Sequence, residues 1–259
     1  DGSCGYEIAS RAITLDERGE NAELRAACET LGALGKVTSD CGLHVHIDVS
    51  DFDRAAFQRL LALWYRYEPF FYGMVAPSRS TNTYCPATRS TSWTSNTSHR
   101  WDEAEAHRAL NATSDHEMQD ALANLGHWGE KYQGMNIRPY PLAGRIEFRL
   151  HHGTLNYGKV RRWAMWLLAL VGRAKAGHLP AIRKQVPRPF PVDGTLAEGF
   201  NPSRVAVGLG LFARGSNGAA PQHFADEALT SEMVSWANER RLAFRREARA
   251  PRLARRERF

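Results

Sequence analysis

Apolar residues recur at a helical spacing, Leu24, Ala27, Cys28, Leu31 and Leu34, and Gly35 closes the pattern, which predicts a helix over 21–34. Alternation takes over at 45–49, where Val45, Ile47 and Val49 interleave with His46 and Asp48 as in a strand. A shorter alternation at 5–9 predicts another strand, with Glu7 on one face. Phe57, Leu60, Leu61, Trp64 and Tyr65 restore the helical period, with Ser50 or Asp51 as N-cap and Pro69 toward the far end. From 77 to 100 aliphatic residues give way to Ser, Thr, Asn and Arg, a long polar loop of the kind that is either functional or disordered. Helices are predicted over 102–109 and 114–125, and strands over 133–138 and 144–150, joined by a turn at Pro139 and Pro141. The most apolar helix, 157–176, carries Trp163, Trp166, Leu167, Leu170 and Val171, a stripe that belongs in a core. A proline-rich connection at 180–202, a glycine-rich stretch at 208–218 and a helix over 230–246 complete the chain.

Two of these strands set chemistry on one face. Side chains at i and i+2 of a strand point the same way, so His44 and His46 share a face, as do Arg145, Glu147 and Arg149. Two imidazoles so placed can reach one transition-metal ion, or they can be partly buried polar residues. Gly42, just before them, allows a close approach by another chain or a ligand. In the second strand Ile146 and Phe148 fix a buried back face, leaving a carboxylate between two guanidiniums in front. Arginine grips phosphate or carboxylate through a planar fork, and a carboxylate can hold a divalent cation against phosphate oxygens. The bland alternative is a cross-strand ladder of ion pairs. His151, His152 and Asn156 follow directly and either complete the rim of a site or shape a loop. Asn136 is placed to hydrogen-bond a substrate carboxylate or a backbone group.

Composition narrows the setting. A chain of 259 residues with 43% apolar content can bury a sizeable core, and one domain over 1–239 is expected. The longest apolar run, 163–171, falls short of the roughly 20 residues that span a bilayer, so no membrane partner is expected. Cys4, Cys28, Cys41 and Cys85 show no metal or redox spacing and read as small buried hydrophobes in a reduced, cytoplasmic protein. The charge of +6 sits in a tail, 240–259, with nine arginines against two glutamates. The rest is close to neutral, so nucleic acid is not an expected partner except through that tail.

The blocks GYEIAS at 5–10, CGLHVHID at 41–48, PSR at 77–79 with Tyr84 and Cys85, KYQGMN at 131–136 and RIEFRLHHGTLN at 145–156 occur in an order that resembles the amidoligase family. That family looks like a branch of the carboxylate-amine ligase superfamily that contains glutamine synthetase and glutamate-cysteine ligase. The resemblance covers about residues 1–175. It implies an α+β fold, a curved antiparallel sheet shaped as a funnel with helices on its outer face. It implies ATP and magnesium as cofactors, with Glu7, His44 and Glu147 as metal ligands. Arg145 and Arg149 would face phosphate oxygens, with Arg79 and Lys131 as further phosphate residues. Superfamily members open with a strand carrying Glu-x-Glu; residues 6–8 resemble a later block instead, so that strand and its two carboxylates are expected to be missing.

The implied reaction is ATP-dependent formation of an amide or isopeptide bond through an acyl phosphate, from small-molecule or peptide carboxylate and amine substrates. Such phosphoryl transfer is served by positioning and charge neutralisation. His46 or His151 is the candidate base for the amine, and Asn136, His151 and Asn156 the candidate substrate-binding residues. Two other classes fit parts of the pattern. One is a zinc hydrolase with His44, His46 and a third ligand from His151 or His152; the other is a non-catalytic binding protein that uses its basic tail. Substrate identity and oligomeric state are not legible.

Overall fold

A computed structural model describes residues 7–16, 18–80, 82, 84–88, 103–125, 132–177, 201–211 and 227–249. In chain order these form α1 (Ala22–Leu34), β1 (Gly42–Asp48), α2 (Arg54–Gly73), α3 (Pro77–Ser80), α4 (Glu103–Asn111) and α5 (Asp115–Asn124). There follow β2 (Met135–Asn136), α6 (Tyr140–Ala143), β3 (Arg145–His152), α7 (Tyr157–Lys175), α8 (Pro202–Gly208) and α9 (Glu227–Arg249). The class is mixed helix and strand, as expected. Among the described residues the sheet is antiparallel with order β1-β3-β2 and does not close into a barrel.

Local chemistry explains most element ends. Asn21 accepts from the Leu24 N–H and Ser114 from Glu117, so α1 and α5 start where their caps stand. The start of α2 corrects the sequence reading. Its cap is Asp53, which accepts from the Ala56 N–H, because the chain first turns after β1, with the Phe52 N–H donating to the Val49 carbonyl. This helix also runs through Pro69 to Gly73. The ring removes one ladder bond, but Leu60, Leu61, Trp64, Phe70 and Phe71 are buried on both sides of it and hold the helix together. The strand expected over 133–138 shortens to Met135–Asn136, and the turn after it winds into the single helical turn of α6. Gly144 ends that turn at φ +58, in the left-handed region that glycine occupies at no steric cost. The strand expected over 5–9 is not seen in its described part: residues 7–9 form no regular element and are exposed.

The core lies between the back face of the sheet and the α2/α7 pair. Trp64 of α2 sits 5.5 Å from Phe148 of β3, and Phe71 meets Trp163 of α7 edge to face at 5.8 Å. A smaller cluster of Cys28, Tyr157 and Val160 seats α1 on α7. Cys28 and Cys85 are buried and Cys41 partly so. Among the described residues no helix is long and apolar enough to cross a membrane.

Candidate active site

Strand register brings the chemistry-bearing residues together. On β3, Glu147 stands opposite His46 of β1 on one side and Asn136 of β2 on the other. Opposed residues of an antiparallel sheet share a face, so the three form one row across the sheet. The neighbouring row, Val45, Phe148 and Met135, points the other way into the core. Beyond it the register slips. Leu43 pairs with His151 but Val45 with Phe148, so β3 sets two residues, Arg149 and Leu150, against His44 alone. This is a β-bulge, which locally re-aims side chains.

Glu147 is the centre of the cluster and is only 5% exposed. Its Oε1 accepts from Arg149 Nη1 at 2.5 Å, and its Oε2 accepts from the Asn136 side-chain amide at 2.7 Å. His44 Nδ1 lies 3.3 Å and His46 Nε2 3.6 Å from the same Oε1. The Asn136 amide is oriented by its own oxygen, which accepts from the Arg138 N–H at 3.1 Å. Gly42 leaves room for this arrangement, since a Cβ there would stand 3.0 Å from His44 Nε2. What approaches the glycine is the His44 ring of the same strand.

Burial, aided by the Arg149 guanidinium, pushes His44 down to about 4 against the opposing pull of Glu147 and Glu7. His44 is therefore neutral near pH 7, the state in which an imidazole ligates. His46 is the more open of the two, with 45% of its side chain exposed. Arg149 is buried, its Nε has no hydrogen-bond partner among the described residues, and its guanidinium lies 5.8 Å over the ring of Tyr132, which meets Tyr84 edge to face.

Two imidazoles and a guanidinium converge on one carboxylate oxygen. A carboxylate oxygen and two imidazole nitrogens 3.3 and 3.6 Å away are spaced close to the edge of about 3 Å expected between neighbouring ligands of a small hard cation. They do not make a closed cage: among the described residues no group of three or more His, Cys, Asp or Glu side chains is arranged to hold a metal. Arg149 already occupies the Oε1 corner. With Arg149 on that oxygen, any cation there would need further ligands from outside these side chains.

The other residues singled out by sequence fall in different places. Glu7 is exposed and outside any strand, yet near enough to His44 to act on its charge. Arg145 is exposed at the start of β3, opposite Asp48. Arg79 is buried, with Nε on the Leu150 carbonyl and Nη2 on that of Arg149. Lys131 lies outside the described residues. Asn156 caps α7 through the Lys159 N–H. His151, opposite Leu43, is fully buried against Trp163 at 5.0 Å. Its Nδ1 donates to the His152 carbonyl at 2.6 Å, and burial pushes it down to about 3. An imidazole so placed is a poor base for a solvent-borne amine. His152 stacks on it at 4.4 Å, and neither joins His44 and His46 in a metal-binding group. The second half of the basic tail, 250–259, lies outside the described residues; α9 carries the first half, and Arg240 Nε donates to the Met74 carbonyl.

Sequence reasoning missed Tyr132. The same i, i+2 spacing that puts Asn136 on the front face also picks out Gly134 and Tyr132. A family model described as "putative amidoligase enzyme" matches residues 2–171. No curated protein and no solved structure matches the chain.

Proposed function

The chain belongs to the amidoligase family, and from that premise we propose that it joins a carboxylate to an amine at the expense of ATP. The observation that carries this reading is the Glu147 cluster, in which one buried carboxylate meets a guanidinium, two imidazoles and a carboxamide on a single sheet face. In the proposed reaction the γ-phosphoryl group of ATP passes to the substrate carboxylate, leaving ADP. The amine then attacks the acyl carbon and inorganic phosphate departs.

Magnesium, bound with ATP, would neutralise the phosphate oxygens; Glu147 and His44 would hold it, with Glu7 nearby. Arg149 serves the transferring phosphoryl group. Its planar fork matches phosphate geometry, and its Nε, buried without a partner among the described residues, is a donor already desolvated. Asn136 holds Glu147 from the far side and so fixes the orientation of the carboxylate. His46, the more open imidazole, is the base placed to accept the proton of the amine. On this reading the three strands are one wall of the funnel-shaped sheet of the superfamily. Arg145, exposed at the rim, reaches the outer phosphates.

The test is coupled turnover. With magnesium and ATP, ADP and phosphate are released only when both a carboxylate and an amine substrate are supplied from a panel of amino acids and short peptides. Absence of nucleotide binding by the full-length protein in magnesium overturns the reading.

A further inference from the structure

We propose that Arg79 is a positioning residue, whose guanidinium fixes the β3 bulge and thereby aims Arg149 at Glu147. The inference deepens the ligase reading and rests on it only for its nucleotide arm. Arg79 has the residue type of a phosphate ligand and stands at the start of the polar loop, but its Nε and Nη2 donate to backbone carbonyls. Nε bonds the Leu150 carbonyl at 3.3 Å and Nη2 the Arg149 carbonyl at 3.0 Å. Those are the two residues that the bulge sets against His44.

A bulge leaves one residue out of the ladder, and a buried carbonyl without a partner costs about 1–3 kcal/mol. A planar fork spanning two successive carbonyls removes that cost, and it does so only for this backbone geometry. Arg79 is itself anchored. It is 4% exposed, its carbonyl accepts from the Cys85 thiol at 3.5 Å, and Cys85 is pinned in turn by the Tyr72 hydroxyl on its carbonyl at 2.6 Å. The opposite side of the bulge is tied as well, by the Arg149 N–H donating to the Gly134 carbonyl at 2.9 Å. With its backbone held from both sides, Arg149 delivers Nη1 to Glu147 at 2.5 Å. The same bulge sets His151 opposite Leu43.

The experiment uses the full chain with ¹⁵N-labelled arginine, and compares the wild type with Arg79→Lys and Arg149→Met. Lysine keeps the charge but cannot straddle two carbonyls. The expected result is that Arg79→Lys shifts or broadens the Arg149 side-chain resonance while the circular dichroism stays that of a folded protein. It weakens binding of magnesium ATP about tenfold, and it costs nothing further in an Arg149→Met background, since residues acting through one another are not additive. An unchanged Arg149 resonance, or losses that multiply in the double variant, overturns the proposal in favour of a direct phosphate contact. Should Arg79→Lys unfold, the wild type decides: the Arg79 Nε–H signal stays still when inorganic triphosphate is added, and its movement overturns the proposal. If the wild type binds no nucleotide, the ligase reading fails and the Arg149 resonance alone judges Arg79.

Discussion

The two faces of β3 are buried to nearly the same degree by opposite means. On the back, Ile146 and Phe148 are fully buried, and Phe148 packs on Trp64. On the front, Glu147 and Arg149 are 5% and 8% exposed, yet each carries an ionisable side chain. The back face is held by removal of apolar surface from water, which tolerates any filler of similar volume. The front face is desolvated at a cost that the Asn136, Arg149 and imidazole contacts offset, and such contacts tolerate no substitute of different charge. A strand that spends stability on one face while gaining it on the other is organised around what the costly face does.

The largest effect is expected from Glu147→Gln. It leaves the Arg149 charge buried without its anion, so urea unfolding should show a loss of about 3–5 kcal/mol, and ADP formation should fall roughly 100- to 1,000-fold. Replacing the pair together, Glu147→Leu with Arg149→Met, should recover most of that stability and none of the activity. If the double variant is as unstable as Glu147→Gln, the front face is not an ion-pair site in the sense argued. On the back face, Phe148→Ala should cost a comparable 3–5 kcal/mol or so through the cavity it opens. Phe148→Leu should cost about 1.5 kcal/mol or less and keep turnover within a few-fold. Loss of turnover in Phe148→Leu at full folding would erase the distinction between the faces.

Next in size is the acid response of the strand's end. His151 and His152 are held down to about 3 and about 4, in both cases chiefly by burial. His152 itself, Arg240 and Arg79 add to the effect on His151, and Arg240, Lys159 and Arg79 to that on His152. The unfolded chain therefore takes up protons first as pH falls below about 6.5. Stability is complete above that pH and drains below it by about 1.4 kcal/mol per pH unit for each histidine, until the folded-state values are reached. His151→Phe, which keeps an aromatic ring near Trp163, should flatten this slope between pH 6.5 and 4.5 in urea midpoints. An equal slope in variant and wild type would assign the acid response to other groups.

What the sequence disclosed and what it hid separate along a physical line. Helices α1 and α7 were legible because period and cap coincide, Asn21 before Leu24 and Asn156 before Lys159. His44, His46, Glu147 and Arg149 were legible as face-sharing pairs because a strand's period of two is a local property. The bulge was not. One extra residue in β3 reverses the parity beyond it, so His151, in phase with Glu147 and Arg149 by counting, pairs opposite Leu43 instead. Arg79 was legible only as a residue type suited to an anion; that its Nε and Nη2 bond two carbonyls of the bulge follows from no local pattern. Residues 7–9, the described part of the strand expected at 5–9, form no strand, because alternation predicts a face but supplies no neighbour to pair with.

Arg145 gives the smallest and most discriminating expectation. By period it belongs with Glu147 and Arg149, but it is exposed and stands opposite Asp48 at the strand's beginning. Being solvated, it has little to lose on truncation, so Arg145→Ala should change stability by less than about 0.5 kcal/mol. Its proposed role is to reach the outer phosphates from the rim, where attraction is screened by salt. The variant should accordingly weaken magnesium ATP binding a few-fold at low ionic strength, and the difference should shrink as salt is raised. Affinity that is equal at every salt concentration would confine the working front face to its buried members, Glu147 and Arg149, and leave Arg145 as a solvated strand end.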